Sequence, residues 1–467
     1  MSMKLLILGG GGREHALAWA CSQSPRVSEI VVAPGNGGIA AWGASAGDAG
    51  SELQVPVRCV PLEIREDSES LAAMITVVLA EAPDLTIVGP EVPLALGFVD
   101  ELEERGFRVF GPSGAAAELE TSKAFAKQFM HDHDVPTAAY AICSSVEEVR
   151  RELPEFLLPV VIKADGLAAG KGVVICATLE EAEGVAAGMF SGELLGAAVE
   201  QVVLEEFLEG EELSFFALCD GAVAIPLAAA QDHKRIGEGD TGPNTGGMGA
   251  YSTDALMTDT LRNWLNENVA QRVVDGMASE GTPFKGILFC GIMLVPQPGH
   301  APNSRAVQPM VLEFNTRFGD PETQALVMRL QTDIVEIFDA AIDGTAEDLL
   351  ITLKPGASVC VIAASEGYPG KYPSGRPISG LDTHAIPEDS ASALSGVEEV
   401  VVFHSGTAFA SDGSRGDGLV TAGGRVLGVT ARAADLRSAL HLAYTRLAQI
   451  SFDGMQYRKD IGWRALQ

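Results

Sequence analysis

The chain has 467 residues, too many for one hydrophobic core to serve, so two to four domains are expected. With 63 Asp and Glu against 32 Lys and Arg its formal charge is −31, which argues against a nucleic-acid partner, because phosphate backbones call for net basic surface. A local basic pocket can still receive a small phosphate. The seven cysteines, at 21, 59, 143, 176, 219, 290 and 360, form no C-x-x-C pair and read as reduced core residues of a cytoplasmic protein. The apolar N-terminal run is too short for a signal peptide or a membrane span.

Lys4 to Leu8 is a compact apolar run that predicts a buried strand, and Gly9 to Gly12 leads into a helix at Arg13-Glu14-His15. Strand, glycine turn and helix N-terminus make a phosphate site from backbone N–H groups. A dinucleotide site fits poorly. After the strand Glu29 to Ala33 comes Pro34-Gly35-Asn36-Gly37-Gly38, where ribose recognition would call for an acid. This second glycine loop suits another phosphate or sugar contact. Leu85 to Val88 predicts a third strand ending in Gly89-Pro90-Glu91, and Arg108 to Phe110 a fourth. These are βα units of a small doubly wound sheet whose strand ends converge on one crevice. A helix between Gly111 and Pro136 carries Lys123 and Lys127; His131 and His133 lie two apart, on different faces, and form no joint metal site.

Leu158 to Lys163 predicts a strand that ends on a lysine and runs into a glycine-rich loop through Gly166, Gly170, Lys171 and Gly172, which can bring backbone close to phosphates. It lacks the Walker pattern. Gln201 to Leu208 predicts a strand leading to the acids Glu209 to Glu212. These read either as solvated residues or as partners for an adenine amino group and a ribose. Asp232 to Arg235 precedes the polar loop Gly242 to Gly249, and a helix is expected near Leu256 to Met277. The strand Gly286 to Val295 pairs with Val311 to Asn315 across the polar segment Gln297 to Gln308. Beyond Ile334 a strand-rich region follows, with turns at Gly367 to Gly370, Asp412-Gly413 and Gly423-Gly424; the last boundary is placed near residue 350.

The run Val311-Leu312-Glu313-Phe314-Asn315 alternates, sending Leu312 and Phe314 to one face and Glu313 and Asn315 to the other. A carboxylate beside a neutral amide oxygen suits a hard divalent cation such as Mg²⁺. An isolated E-x-N would read as the solvent face of an edge strand, but this one does not stand alone. Arg317 shares the polar face if the strand persists, and its guanidinium could grip a carboxylate or a phosphoryl group. Pro321 is expected as the first residue of a helix capped by Asp320.

Gly9 to Ala16 (GGGGREHA), Pro34-Gly35-Asn36, Ser122 to Phe129, Val161 to Val173 (VIKADGLAAGKGV), Asp232 to Arg235, Gly242 to Tyr251 (GPNTGGMGAY), Arg317 to Gln324 (RFGDPETQ) and Asp453 to Gly462 (DGMQYRKDIG) together resemble the phosphoribosylamine–glycine ligase family of the ATP-grasp superfamily. The likeness runs from the first strand to the last helix. It implies an α/β fold in three parts: a doubly wound pre-ATP-grasp domain over 1–121 that binds phosphoribosylamine, an ATP-grasp domain over 122–350 with a mobile lid at 140–205, and a small α+β domain over 351–467. The implied reaction joins glycine to 5-phosphoribosylamine at the expense of ATP, in purine synthesis, by a cytoplasmic monomer that uses Mg²⁺ or Mn²⁺ and binds neither nucleic acid nor membrane.

Carried onto this chain, the resemblance implies that Lys123 and Lys163 hold ATP phosphates beneath a flap spanning Gly166, Gly170 and Gly172. Glu205, with the backbone at Glu206 and Leu208, would hold adenine, Glu212 the ribose, and Glu313 and Asn315 the metal. Arg317, Lys163 and Asp232 would act in catalysis. Gly11, Asn36, Gly37 and the Gly89-Pro90-Glu91 turn would receive the phosphoribosyl group, with Asp232, Lys234 and Arg317 closing on it. Two departures from the family pattern stand out. Gly10 replaces a small polar residue, with a minor effect expected, and the strand Gly286 to Val295 lacks a further carboxylate, which leaves the metal count open. The 297–308 segment is expected to be a surface excursion. Two other readings are a nucleotide sensor without turnover and an ATP-grasp carboxylase; the retention of Lys163, Glu313, Asn315 and Arg317 together argues against the sensor.

Overall fold

The computed structural model describes residues 2–45, 55–167, 172–297, 307–381, 398–410 and 418–466. Its N-terminal part alternates strands and helices: β1 (Met3–Gly9), α1 (Gly12–Ser22), β2 (Val27–Pro34), α2 (Gly37–Ala44), β3 (Val57–Cys59), α3 (Ser68–Glu81), β4 (Leu85–Val88), α4 (Glu91–Ala95), α5 (Phe98–Glu104) and β5 (Val109–Phe110). The strands pair in parallel in the order β3-β2-β1-β4-β5. Leu5 to Leu8 and Ile30 to Ala33 are fully buried, as strands covered by helices on both faces must be. The order reverses beside β1, so the turns after β1 and β4, Gly9 to Gly12 and Gly89 to Glu91, open onto one crevice. The sequence reading missed β3, a three-residue strand with Arg58 at its centre. It also expected little from Gly10, yet a Cβ there would stand 2.3 Å from the Gly35 carbonyl oxygen, so the turn has no room for a side chain.

α6 (Glu118–Thr121) and α7 (Lys123–Asp132) lead into a lid: β6 (Tyr140–Cys143), α8 (Val146–Glu152), β7 (Val160–Ala164), β8 (Val173–Cys176), α9 (Leu179–Ser191) and β9 (Val202–Glu206). Its antiparallel sheet runs β6-β9-β7-β8. The lid core, built around Val149, Ile162, Met189 and Leu204, draws every one of its residues from 141–204.

The remainder is β10 (Glu211–Asp220), β11 (Ala224–Asp232), β12 (Arg235–Gly237), β13 (Thr241–Asn244), β14 (Gly249–Thr253), α10 (Asp259–Leu265), α11 (Gln271–Ser279), β15 (Lys285–Pro296), β16 (Val307–Asn315), α12 (Glu322–Arg329), α13 (Ile334–Asp343), β17 (Ala357–Ala364), β18 (Glu399–His404), β19 (Thr407–Phe409), β20 (Leu419–Thr421), β21 (Arg425–Ala433) and α14 (Leu436–Leu447). Eight of these strands make one antiparallel sheet, β16-β15-β10-β11-β14-β17-β21-β18. The β14–β17 pairing carries that sheet across the position near 350 where a boundary was expected. One apolar core joins Leu5, Ile30 and Phe110 to Phe216, Phe289 and Phe338, and reaches Phe403 on β18.

Several expectations need correction. Glu211 and Glu212 open the ten-residue strand β10 rather than close the strand before it, and β10 and β11, both central, went unread. The 242–249 segment is not structureless: β13 pairs with β12, and Gly249 begins β14. The helix expected over 256–277 runs 259–279 with one π-helical turn at Asn266–Ala270. Val307 and Gln308 belong to β16, while 298–306, the Asp412-Gly413 turn and Gly170 lie outside the described residues. No helix among the described residues is long and apolar enough to cross a membrane.

Candidate active site

β16 pairs with β15 along its length, with a register shift between Gly291 and Ile292 that leaves Leu312 as the extra residue. Val311 and Phe314 therefore enter the core, Leu312 does not, and Glu313 and Asn315 turn to the opposite face. The strand stops at Asn315, short of Arg317. Pro321 takes the cap position of α12 instead of its first turn, and Asp320 is engaged elsewhere: its carboxylate lies 3.2 Å from Arg425 Nη2 and accepts from Gln324 Nε2 at 2.8 Å.

Glu313 stands among cations, its Oε1 3.6 Å from Lys234 Nζ. Burial pushes its carboxyl up, but Lys234, Lys163, Lys123 and Arg317 together pull it down to about 2. A carboxylate kept ionised beside the Asn315 amide fits a hard divalent cation that retains water or substrate oxygens. Among the described residues no group of three or more His, Cys, Asp or Glu side chains is gathered to hold a metal unaided. A cation here would rely on the pair and on oxygens brought by substrate. Lys234 Nζ also lies 2.8 Å from Glu212, at the start of β10, and its ammonium is held well above its usual range: burial works against the charge, and Glu212, Glu313 and Asp232 outweigh it. Asp232, at the end of β11, moves the other way, raised by burial and by the neighbouring Glu322, Glu212 and Glu313 against the pull of Lys234.

On the lid side, Lys163 Nζ lies 2.8 Å from Glu205 Oε1 and donates to the Leu312 carbonyl at 2.9 Å. Lys123, at the N-terminus of α7, donates to the Gly166 carbonyl at 2.9 Å. The Ser122 hydroxyl, which caps α7, bonds to the Asp165 carboxylate at 3.1 Å, so the first residues of the flap are tied to the helix that carries Lys123. Glu205 is buried and its second oxygen is 2.9 Å from Lys127 Nζ. Its carboxylate thus sits between two lysines rather than open to a base, and the Glu206 N–H already donates to the Ala139 carbonyl at 2.9 Å. Leu208, in the loop after β9, is half-buried.

On the N-terminal side the glycine turns close around Glu14. The Gly11 N–H donates to Glu14 Oε2 at 2.6 Å, and Arg13 Nε donates to Glu14 Oε1 at 2.7 Å. A Cβ on Gly89 would meet Glu14 at 2.2 Å. Arg13 also donates to the Phe318 carbonyl at 2.9 Å. Arg317 pairs with Glu120 at 2.6 Å, and its Nε, 3.5 Å from Glu91, is buried without a hydrogen bond among the described residues. Gly11, Glu14, Arg13, Glu91 and Arg317 therefore form one chain of contacts. Asn36 and Gly37 stand beside the first glycine turn: the Asn36 amide caps α2 and donates to the Gly10 and His404 carbonyls, and a Cβ on Gly37 would strike the Ala408 backbone at 2.8 Å.

Family models match in sequence along the chain: the N domain of phosphoribosylglycinamide synthetase over residues 3–120, its ATP-grasp (A) domain over 121–323 and its C domain over 358–464. A phosphoribosylamine–glycine ligase of Xanthomonas campestris is 45% identical over 464 residues, covering 99% of this chain and 98% of that one. The chain belongs to the phosphoribosylamine–glycine ligase family. A solved structure of the Thermotoga maritima phosphoribosylamine–glycine ligase superposes with a TM-score of 0.77 at 31% identity, covering 98% of this chain and all of that one. The biotin carboxylase domain of Hydrogenobacter thermophilus 2-oxoglutarate carboxylase, with a TM-score of 0.68 at 18% identity over 97% of this chain and 91% of that one, shares the fold alone.

Against that family pattern, the sequence reading overlooked five side chains that shape the cleft: Arg13, Glu14, Glu120, Asp320 and Arg425. Arg13 and Glu14 lie inside the GGGGREHA string and Asp320 inside RFGDPETQ, so their positions were marked but their partners were not. Glu120, on the short helix α6, and Arg425, 105 positions from Asp320, carry no local signal.

Proposed function

We propose that this protein joins glycine to 5-phosphoribosylamine, with conversion of ATP to ADP and phosphate and formation of glycinamide ribonucleotide in de novo purine synthesis, as a cytoplasmic monomer. The observation that carries this reading is the meeting of Glu313, kept ionised, with Lys123, Lys163, Lys234 and Arg317 in one cleft between lid and body. A glycine carboxylate is inert towards an amine until it is phosphorylated, and phosphoryl transfer is mostly positioning and charge neutralisation. Lys163 and Lys123 supply positive charge on the lid side, where nucleotide phosphates would lie. The unbonded Nε–H of Arg317 is a buried donor ready for a carboxylate or phosphoryl oxygen. Glu313 and Asn315 would hold Mg²⁺ or Mn²⁺, which when bound neutralises phosphate charge.

In the second step the amine of phosphoribosylamine attacks the carbonyl carbon of glycyl phosphate, the C–N bond forms, phosphate leaves and the amine proton is lost. Asp232 is the acceptor we assign to that proton, because it ends β11 beside Lys234 and faces Glu313 across the cleft. The test is glycine-dependent ADP release with freshly generated phosphoribosylamine. Release that needs both is expected; release without glycine, or release that requires bicarbonate instead, would replace this reading with that of another ATP-grasp enzyme.

A further inference from the structure

A closed ring of polar contacts crosses from the body to the lid, and the residue that completes it, Lys127, has no part in the reaction as set out above. Lys127 lies one helical turn beyond Lys123 on α7, on the same face, with its side chain 2% exposed. Its Nζ is 2.9 Å from Glu205 Oε2 and donates to Thr137 Oγ1 at 2.6 Å. Thr137 belongs to the crossing into the lid, and its hydroxyl donates in turn to the Val311 carbonyl at 2.7 Å. The other oxygen of Glu205 is 2.8 Å from Lys163 Nζ, which donates to the Leu312 carbonyl at 2.9 Å. The ring starts and finishes on consecutive carbonyls of β16, directly before Glu313, and passes through β9 and β7 of the lid.

Two ammonium groups and one carboxylate leave this trio with a single positive charge. Without Lys127, Glu205 and Lys163 would cancel, and the Lys163 ammonium would face a carboxylate with both oxygens to offer. In a buried setting that competition is strong, since opposite charges at contact attract far more than in water. We propose that Lys127 is a positioning residue: by taking one oxygen of Glu205 it keeps Lys163 shared between the other oxygen and the Leu312 carbonyl, with net positive charge left to receive nucleotide phosphates, and it fixes the lid strands to the strand that carries Glu313. This rests on the reading of Lys163 as a phosphate ligand in the proposed reaction.

ADP affinity, measured by calorimetric titration of the full chain, tests it without any turnover. Lys127→Met should weaken ADP binding about tenfold, a loss of about 1.4 kcal/mol, while the double variant Lys127→Met with Glu205→Gln, which restores the single positive charge, should recover to within about threefold of the wild type. In steady state the KM for ATP should rise in Lys127→Met while the KM for glycine stays put, a split that a general loss of packing would not produce. Thr137→Val removes only the hydroxyl link and keeps the ring testable if Lys127→Met does not fold; a fall of about threefold in ADP affinity is expected. Wild-type affinity in folded Lys127→Met or in Thr137→Val, or no recovery in the double variant, overturns the proposal. Wild-type protein that binds ADP but releases none in response to glycine overturns the reaction instead and leaves the ring to be judged by the variants.

Discussion

The lid and the N-terminal unit are both appended to the large antiparallel sheet, yet they are joined to it in different ways. The lid keeps an apolar core of its own, drawn wholly from 141–204, and meets the body through polar contacts such as those of Lys163, Lys127 and Thr137. The N-terminal sheet has merged its core with the body, so that Ile30 and Phe110 share one apolar cluster with Phe216, Phe338 and Phe403. Apolar packing locks surfaces together because separation exposes all of the buried area at once, whereas a few polar contacts can be exchanged for water or ligand at small net cost. The lid is therefore the part joined less firmly to the sheet. The N-terminal side of the cleft is preassembled.

Substitutions can break or sharpen that contrast. The largest effect is expected from Phe216→Ala, a fully buried ring 4.6 Å from Phe289 in the shared core, which should destabilise N-terminal unit and body together by about 3–5 kcal/mol. Separate melting of the two in a calorimetric scan would show that the core is not truly common. Next, Glu313→Gln should lower turnover about a hundredfold or more, about 3 kcal/mol in the barrier, with little change in melting temperature, since the residue faces the cleft rather than the apolar core from a strand that β15 holds along its length. Near-normal activity at saturating Mg²⁺ would remove the metal assignment. Gly10→Ser should cost about 1–3 kcal/mol by overpacking against the Gly35 carbonyl; a neutral outcome in urea titration would mean that the two turns yield more readily than their contact implies.

A smaller effect comes from pH. Buried His404 sits at the seam between β18 and α1, its N–H donating to His15 Nδ1 at 2.9 Å, and burial lowers its imidazole to about 4. Between that value and the unfolded value near 6.5 the unfolded chain binds a proton that the folded chain refuses, so the stability it contributes is present above pH 6.5 and drains away as pH falls. The wild type should lose about 1.4 kcal/mol more per pH unit than His404→Gln across that window. Parallel urea curves at pH 7 and 5.5 measure the difference, and identical slopes would contradict a buried neutral ring. The smallest effect is expected from Ile162→Val in the lid core: a loss of about 0.5–1.5 kcal/mol that quickens amide exchange within 141–204 and leaves the body unchanged. Faster exchange on β10 or β15 as well would mean that lid and body unfold as one.

What the sequence disclosed follows from how local each signal is. The Glu313 and Asn315 pair was readable because alternation on one strand fixes which side chains share a face, and β1, β4 and α1 because apolar runs and glycine turns are contiguous. Arg317 was expected on that face by strand continuation; the strand ends first, and a turn delivers it to Glu120 and Glu91. Asn36 was assigned by the family resemblance, and nothing local announced that its amide also caps a helix and donates to the His404 carbonyl, a partner 368 positions away. The Glu205 carboxylate likewise gave no sign of its two lysines, since one reaches it from the neighbouring lid strand β7 and the other from α7. The position near 350 drew attention because a strand-rich pattern begins beyond it, and a local pattern does not report that β17 pairs back to β14.

The pairing of β14 with β17 bears on what happens to a severed chain. A fragment ending near residue 350 would keep β14 but lose the strand that saturates its outer side, leaving the N–H and C=O groups of Gly249 to Thr253 unpaired along an open margin. Such a margin is a template for any extended peptide, including another copy of itself. The C-terminal segment thus guards the large sheet against self-association, and material truncated there should sediment as oligomers even though Glu313, Asn315, Lys123, Lys163 and Lys234 are still present.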